Sequence, residues 1–257
     1  MRIEDREAIR ENFLGVEDGH IYFFYYPKST EAQTFEEVEH ISLILHPFDT
    51  KHFRLISLNA AALPRTDDHF NMTNGIVQKV DDKQSVIIHE LQQRHQQILG
   101  VPQVKKAAAR PCGEGVYTIL FQENRAHLIY ILELPRLDGK VKEALNIGSD
   151  GAFTIGIYNP YLESGAQAMN SERRPHFPED LKTQMKDQRI LYDNLPRLLN
   201  YENSRLAIFK EPDFNIKQIK PKLHPLADSS KTADIFSDLK LQREKYPVEP
   251  LFKGEWR

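Results

Sequence analysis

Several segments of the chain alternate hydrophobic and polar residues with the two-residue period of a half-buried β-strand. Residues 38–46 are the clearest case, because Ile41, Leu43 and Leu45 fall on one face of the predicted strand. An unbroken run of aromatic and β-branched residues at 20–26 is typical of a strand that is buried on both faces. The same criteria predict strands at 53–59, 76–80, 116–121, 127–134, 152–158, 189–192 and 206–209.

Four other segments carry apolar residues at helical spacing. Helices are predicted at 3–13, 83–99, 181–186 and 233–245. Asp81 and Asp82 precede the second of these and are suited to cap it, and Gly100 is suited to end it.

Two stretches of the chain resemble each other, Tyr22 to Asn59 and Tyr130 to Asn159. Each begins Tyr-x-x-x-x-Pro, continues through a Val-led apolar segment and ends Phe-x-[Leu/Ile]-x-x-x-Asn. We interpret the resemblance as an internal duplication. Residues 141–147 (VKEALNI) suit a helix by propensity, but their place in the second copy favours a strand.

The pattern therefore predicts an α+β fold. It consists of two related, mainly antiparallel β units with accessory helices and a Pro-rich C-terminal tail. The predicted boundaries are 1–104 for the first unit, 105–115 for a linker, 116–210 for the second unit and 211–257 for the tail. We expect the tail to pack on the body through three apolar residues, Leu251, Phe252 and Trp256.

Composition narrows the class of protein. With 40% hydrophobic and 28% charged residues in 257, the chain is typical of a globular protein. Its net charge of −3 disfavours a nucleic-acid binder without excluding a local basic patch. The single cysteine, Cys112, excludes an intrachain disulfide. The sequence shows no secretory signal and no apolar run of about 20 residues, so we expect a soluble, cytoplasmic protein without a membrane partner.

One motif has the donor types of a metal site. His46, Asp49 and His52 form H-x-x-D-x-x-H across a predicted turn, which suits zinc or iron if the three side chains converge. The alternative is two histidines at strand ends on a solvated turn. The sequence thus leaves a divalent metal open as the one possible cofactor.

Two long polar connections follow the equivalent strands of the two predicted units. If they line one cleft, an acidic loop would face a basic loop, which suits acid/base chemistry. The candidate catalytic residues are Asp67, Asp68, His69, Arg173 and His176, with Arg174 beside them. The alternative is two surface loops that never meet, so the sequence does not decide whether the protein is an enzyme.

Three functions follow from these patterns. We expect first a non-enzymatic binding or interaction protein that uses the groove between the two units. The second hypothesis is a hydrolase that uses the two polar loops. The third is a single-stranded nucleic-acid binder with stacking rings on the aromatic strand and basic clusters for phosphates, the clusters being Lys105, Lys106 and Arg110, and Lys217, Lys220 and Lys222.

Overall fold

The computed structural model describes residues 14–65, 72–92, 94–96, 104–136, 138–162, 173–185, 187–210 and 233–256, with side chains except at 14–16, 94–96, 104–106 and 244. Its strands are β1 (Leu14–Pro27), β2 (Val38–Pro47), β3 (Phe53–Leu58), β4 (Met72–Asp81), β5 (Arg94–Gln96), β6 (Val104–Lys106), β7 (Arg110–Gln122), β8 (Arg125–Leu134), β9 (Asp150–Tyr158), β10 (Ile190–Leu191) and β11 (Arg205–Lys210). Its helices are α1 (Gln84–Leu91), α2 (Lys140–Leu145), α3 (Glu179–Met185), α4 (Leu195–Leu198), α5 (Asp234–Ser237) and α6 (Glu249–Lys253). Short 3-10 turns lie at Phe35–Glu37 and Arg243–Lys245.

Eight strands form one closed antiparallel sheet. Their order is β1-β2-β3-β4-β11-β9-β8-β7, and β7 pairs back with β1. The ring is thus two four-stranded meanders, β1 to β4 and β7-β8-β9-β11, joined by the β1–β7 and β4–β11 pairs. β10 adds a short pairing to β9, and β5 and β6 pair with each other. A mainly antiparallel sheet with short helices agrees with the predicted α+β class at that coarse level.

The two resembling stretches occupy only partly equivalent positions in the sheet, since Tyr22 lies in the first strand of its meander and Tyr130 in the second. The Phe53 and Phe153 segments are the third strands of their meanders. The strand predicted at 141–147 is wrong, because helix α2 stands there and β8 pairs directly with β9. Val141 and Leu145 are one helical turn apart, and both are buried in the core. The internal duplication itself stays a prediction.

The predicted linker overlaps a strand. Residues 110–115 begin β7, which pairs with β1 over most of its length. The two halves of the chain therefore share one continuous sheet. The boundaries proposed for the units stay a prediction.

The interior of the ring is packed with side chains. The interior of an eight-stranded closed sheet is either filled by side chains or holds one small ligand. Here it is filled by aromatic and aliphatic residues that are almost fully buried, among them Ile21, Phe23, Tyr25, Leu43, Tyr117, Tyr130, Phe153 and Ile155. Space for a ligand must therefore lie at the ends of the ring or outside it.

Helices close both ends of the ring. Val141 and Leu145 of α2 join this core at one end together with Leu63. At the other end α3 and α4 contribute Leu181 and Leu195.

A second core lies on the outer face of β1, β2 and β3. Tyr22 and Phe24 point outward and pack against α1 and the segment 233–256. Leu251 is fully buried in this second core, and Phe252 packs against it. Trp256 instead meets Tyr25 edge-on, with ring centroids 5.5 Å apart.

Other predictions on the helices have mixed outcomes. The helix predicted at 83–99 ends at Leu91, and the one predicted at 233–245 is the short α5 followed by a 3-10 turn. The predicted helix at 3–13 and residues 211–232 of the predicted tail lie outside the described residues. Among the helices that are described, none is long and apolar enough to cross a membrane.

Candidate functional site

A cavity of about 940 Å³ lies at the end of the ring that α2 closes. Ligand pockets commonly have volumes of about 300–1,000 Å³. Its wall takes residues from both predicted units and from the C-terminal segment, and we call it the inter-unit cavity. The described residues that line it are Arg65, Asp138, Gly139, Lys140, Lys142, Glu143, Asn146, Ile147, Gly148, Lys210 and Glu255.

Hydrogen bonds between the two halves of the chain fix the wall of this cavity. The backbone N–H of Leu63 donates to the carbonyl of Leu145 at 3.0 Å. Asn146 adopts a left-handed conformation (φ 54°) that ends α2, and its amide donates to the carbonyls of Leu63 and Pro64 at 3.2 and 2.9 Å. Asn tolerates this conformation better than most residues. The loop after β3 is therefore fastened to α2.

Lys142 is a structural cation in the wall. Its side chain is only 3% exposed, and its Nζ donates to Asp138 Oδ1 and Ser149 Oγ, both at 2.9 Å. The hydrogen bond from Lys142 lowers the pKa of the exposed Asp138 carboxyl. A buried cation with such partners is compensated. We therefore assign Lys142 to holding the turn before α2.

Lys210 is a cation of a different kind. It ends β11, and its Nζ lies 4.7 Å from the ring centroid of Phe153. Burial lowers the pKa of its ammonium group, although Asp150 acts in the opposite direction. Among the described residues, no carboxylate oxygen lies within 4 Å of it. A partly desolvated ammonium group without an anion favours binding one.

The predicted catalytic residues are only partly described. Asp67, Asp68 and His69 lie outside the described residues. Arg173 and His176 precede α3 and are exposed. The proposed meeting of the two polar loops therefore stays a prediction.

The two histidines among the predicted metal ligands have different partners. His46 Nδ1 lies 3.3 Å from Asp238 Oδ2. His52 bonds to Asp82, and Asp49 is exposed on the turn. Within the described part of the chain, no group of three His, Cys, Asp or Glu side chains is arranged to hold a metal ion.

A cluster that the sequence analysis missed surrounds Asp238. Tyr22 donates its hydroxyl to Asp238 Oδ2 at 2.8 Å, and His20 Nδ1 lies 3.3 Å from Asp234 Oδ2. Burial acts to raise the pKa of Asp238, but the hydrogen bonds from His46 and Tyr22 lower it overall. His20 and His46 lie directly opposite each other in the β1–β2 pair. From the sequence, only the register of a predicted β1–β2 hairpin could have indicated that these two histidines are neighbours. The cluster fastens α5 to the outer face of the ring.

Most rings of the aromatic strand are buried, although Tyr26 is partly exposed and stacks on His40. Tyr22 and Phe24 are completely buried, so they cannot receive bases.

Cys112 is also fully buried within β7, and burial raises the pKa of its thiol, which opposes reactivity. Of the predicted basic clusters, only the side chain of Arg110 is described, and it is buried.

Comparisons with models of known protein families, with curated proteins and with solved structures find no match to this chain. The function must therefore be argued from the residues themselves.

Proposed function

We propose that this protein binds a small anionic ligand in the inter-unit cavity and performs no chemistry on it. The observation that carries the proposal is the half-buried ammonium group of Lys210. It lies in the wall of the cavity without a carboxylate partner among the described residues.

The charges of the wall support an anion. Lys142 is compensated by Asp138, and Lys140 lies 3.7 Å from Glu255 in an exposed ion pair. Exposed pairs of this kind contribute little and are screened by salt. Of the three lysines on the wall, Lys210 therefore has the least compensated charge. Its ammonium group is a compact point charge, which suits carboxylate or phosphate oxygens.

The composition of the wall supports binding rather than catalysis. None of the described residues that line the cavity is a histidine, a cysteine or a serine. The described lining residues therefore include none of the Ser–His or Cys–His pairs that are common in nucleophilic catalysis.

The test is a calorimetric titration of the full chain with inorganic phosphate and, separately, with citrate. Lys210→Met keeps the aliphatic stem against Phe153 and removes the charge. We expect this variant to bind the anion at least about tenfold more weakly, because a hydrogen bond to a charged group contributes about 1.5–3 kcal/mol. Its free energy of unfolding should be unchanged or slightly higher, since a desolvated charge is lost.

The matched control is Lys51→Gln. Lys51 is exposed in the turn that precedes β3, at the opposite end of the strand from the cavity. This variant should bind like the wild type. Equal anion affinity at the inter-unit cavity of wild type and Lys210→Met would contradict the proposal, as would a wild-type protein that binds neither anion.

A further inference from the structure

A second cavity, of about 420 Å³, lies between the start of β7 and the turn before α6. We call it the Arg110 cavity. Three basic side chains line it, Arg110, Arg243 and Lys245, and Glu249 is the carboxylate among its described lining residues. The wall is therefore net positive.

Arg110 is buried there without a counter-charge. Its side chain is 2% exposed. Its guanidinium donates to the carbonyl oxygens of Ala32 and Thr30 at 2.5 and 2.6 Å and to the hydroxyl of Tyr25 at 3.4 Å. All three partners are neutral, and among the described residues no carboxylate oxygen lies within 4 Å of the guanidinium. A buried charge without an opposite charge is strongly unfavourable.

Aromatic rings beside the cavity hold a second cation, Arg243, in position. Arg243 stacks over the rings of Phe236 and Phe252, with its guanidinium carbon 4.1 and 5.7 Å from their centroids. Tyr246 is 4% exposed, and its hydroxyl has no hydrogen-bond partner among the described residues. Buried polar groups in proteins are nearly always hydrogen-bonded. The Tyr246 hydroxyl is therefore a second group at this cavity that could hydrogen-bond to a ligand.

We infer that the Arg110 cavity binds a small oxyanion, a phosphate or carboxylate group, against the guanidinium of Arg110. Guanidinium groups bind such anions through charge-assisted hydrogen bonds. The bound anion supplies the counter-charge that the protein lacks at this position, and Lys245 at the exposed rim adds long-range attraction. The inference is independent of the proposed function, because the two cavities share no lining residue.

The experiment is a calorimetric titration with inorganic phosphate and with acetate, performed on the full-length chain carrying Lys210→Met. This background removes the contribution of the inter-unit cavity. We expect Arg110→Met to weaken binding at least tenfold and Lys245→Gln to weaken it two- to fivefold. Lys253→Gln is the control, since Lys253 is exposed on α6 and does not line the cavity. It should leave the affinity unchanged.

The two anions distinguish the source of the oxyanion. Tighter binding of phosphate assigns the site to phosphate groups, and tighter binding of acetate assigns it to carboxylates. A folded Arg110→Met variant that binds like its background would overturn the inference. If Arg110→Met does not fold, Lys245→Gln decides: a two- to fivefold loss supports the site, and an unchanged affinity rejects it.

Discussion

Arg54 and Arg110 are both almost completely buried, at 1% and 2% exposure, but their surroundings differ in charge. Arg54 forms a bidentate pair with Glu17, with distances of 2.6 and 2.9 Å. Tyr117 donates to the same carboxylate at 2.8 Å. Among the described residues, Arg110 contacts only neutral oxygens. The charge of Arg54 is therefore compensated within the protein, whereas we infer that Arg110 takes its counter-charge from a bound anion.

The two lysines of the inter-unit cavity repeat this contrast. Lys142 is held by Asp138 and Ser149, whereas Lys210 contacts the ring of Phe153. In each region, one cation has a carboxylate partner and the other has none among the described residues. Burial alone therefore does not mark a functional residue. We propose that burial without a counter-charge does.

The largest effect on stability is expected for Arg54→Met. It leaves Glu17 partly buried without its partner, and breaking a buried ion pair in this way costs about 3–5 kcal/mol. The measurement is urea denaturation of the variant against the wild type. The double variant Arg54→Met/Glu17→Gln should recover part of the loss, because the uncompensated carboxylate is removed. An Arg54→Met variant as stable as the wild type would contradict the difference that we draw between Arg54 and Arg110.

A smaller effect is expected for Arg110→Met in anion-free buffer. The variant loses hydrogen bonds to Ala32, Thr30 and Tyr25, but it also removes an uncompensated charge. We expect a loss of about 1–2 kcal/mol in the free energy of unfolding. The same urea series measures it. A loss as large as that of Arg54→Met would mean that Arg110 is a structural residue of the same kind as Arg54.

The smallest effect is expected for Asp238→Asn, and it depends on pH. The pKa of Asp238 is lowered in the folded protein, so its charged form stabilises the fold above the unfolded pKa of about 3.9. This contribution is lost as the pH falls through the folded pKa. The wild type should therefore exceed the variant in stability at about pH 5, and the difference should shrink towards about pH 3. The free energy of unfolding is measured by urea denaturation at each pH. If the difference between wild type and variant stays constant over this pH range, the pKa of Asp238 does not change on folding.

Much of the sheet was predictable from local patterns. Ile41, Leu43 and Leu45 face the interior of the ring, as their alternation predicts. Helix α2 was missed because a weak resemblance between two stretches was given more weight than the i, i+4 spacing of Val141 and Leu145. Propensity alone favoured the helix.

The first half of strand β7 was missed for a different reason. Its first half contains a proline and two glycines, a composition that is typical of a linker. In the structure, a Cβ atom on Gly115 would lie 2.1 Å from the carbonyl oxygen of Ile131. Glycine is therefore present because β7 and β8 approach closely at a bulge, and tertiary contacts of this kind have no local signature.

The candidate sites were not predictable as sites. Lys210 and Arg65 are far apart in the chain, and only the closure of the ring brings them to one cavity. Arg110 was assigned to an exposed basic cluster, and its burial depends on a loop about 80 residues away. Local sequence reveals the charge of a residue but not whether a counter-charge lies beside it.

The most direct test of this account is the number of phosphate ions that the full chain binds at saturation, measured by equilibrium dialysis. The account predicts two for the wild type, one each for Lys210→Met and Arg110→Met, and none for the double variant. A double variant that binds as many phosphate ions as the wild type would contradict the claim that these two unpaired cations mark the binding sites.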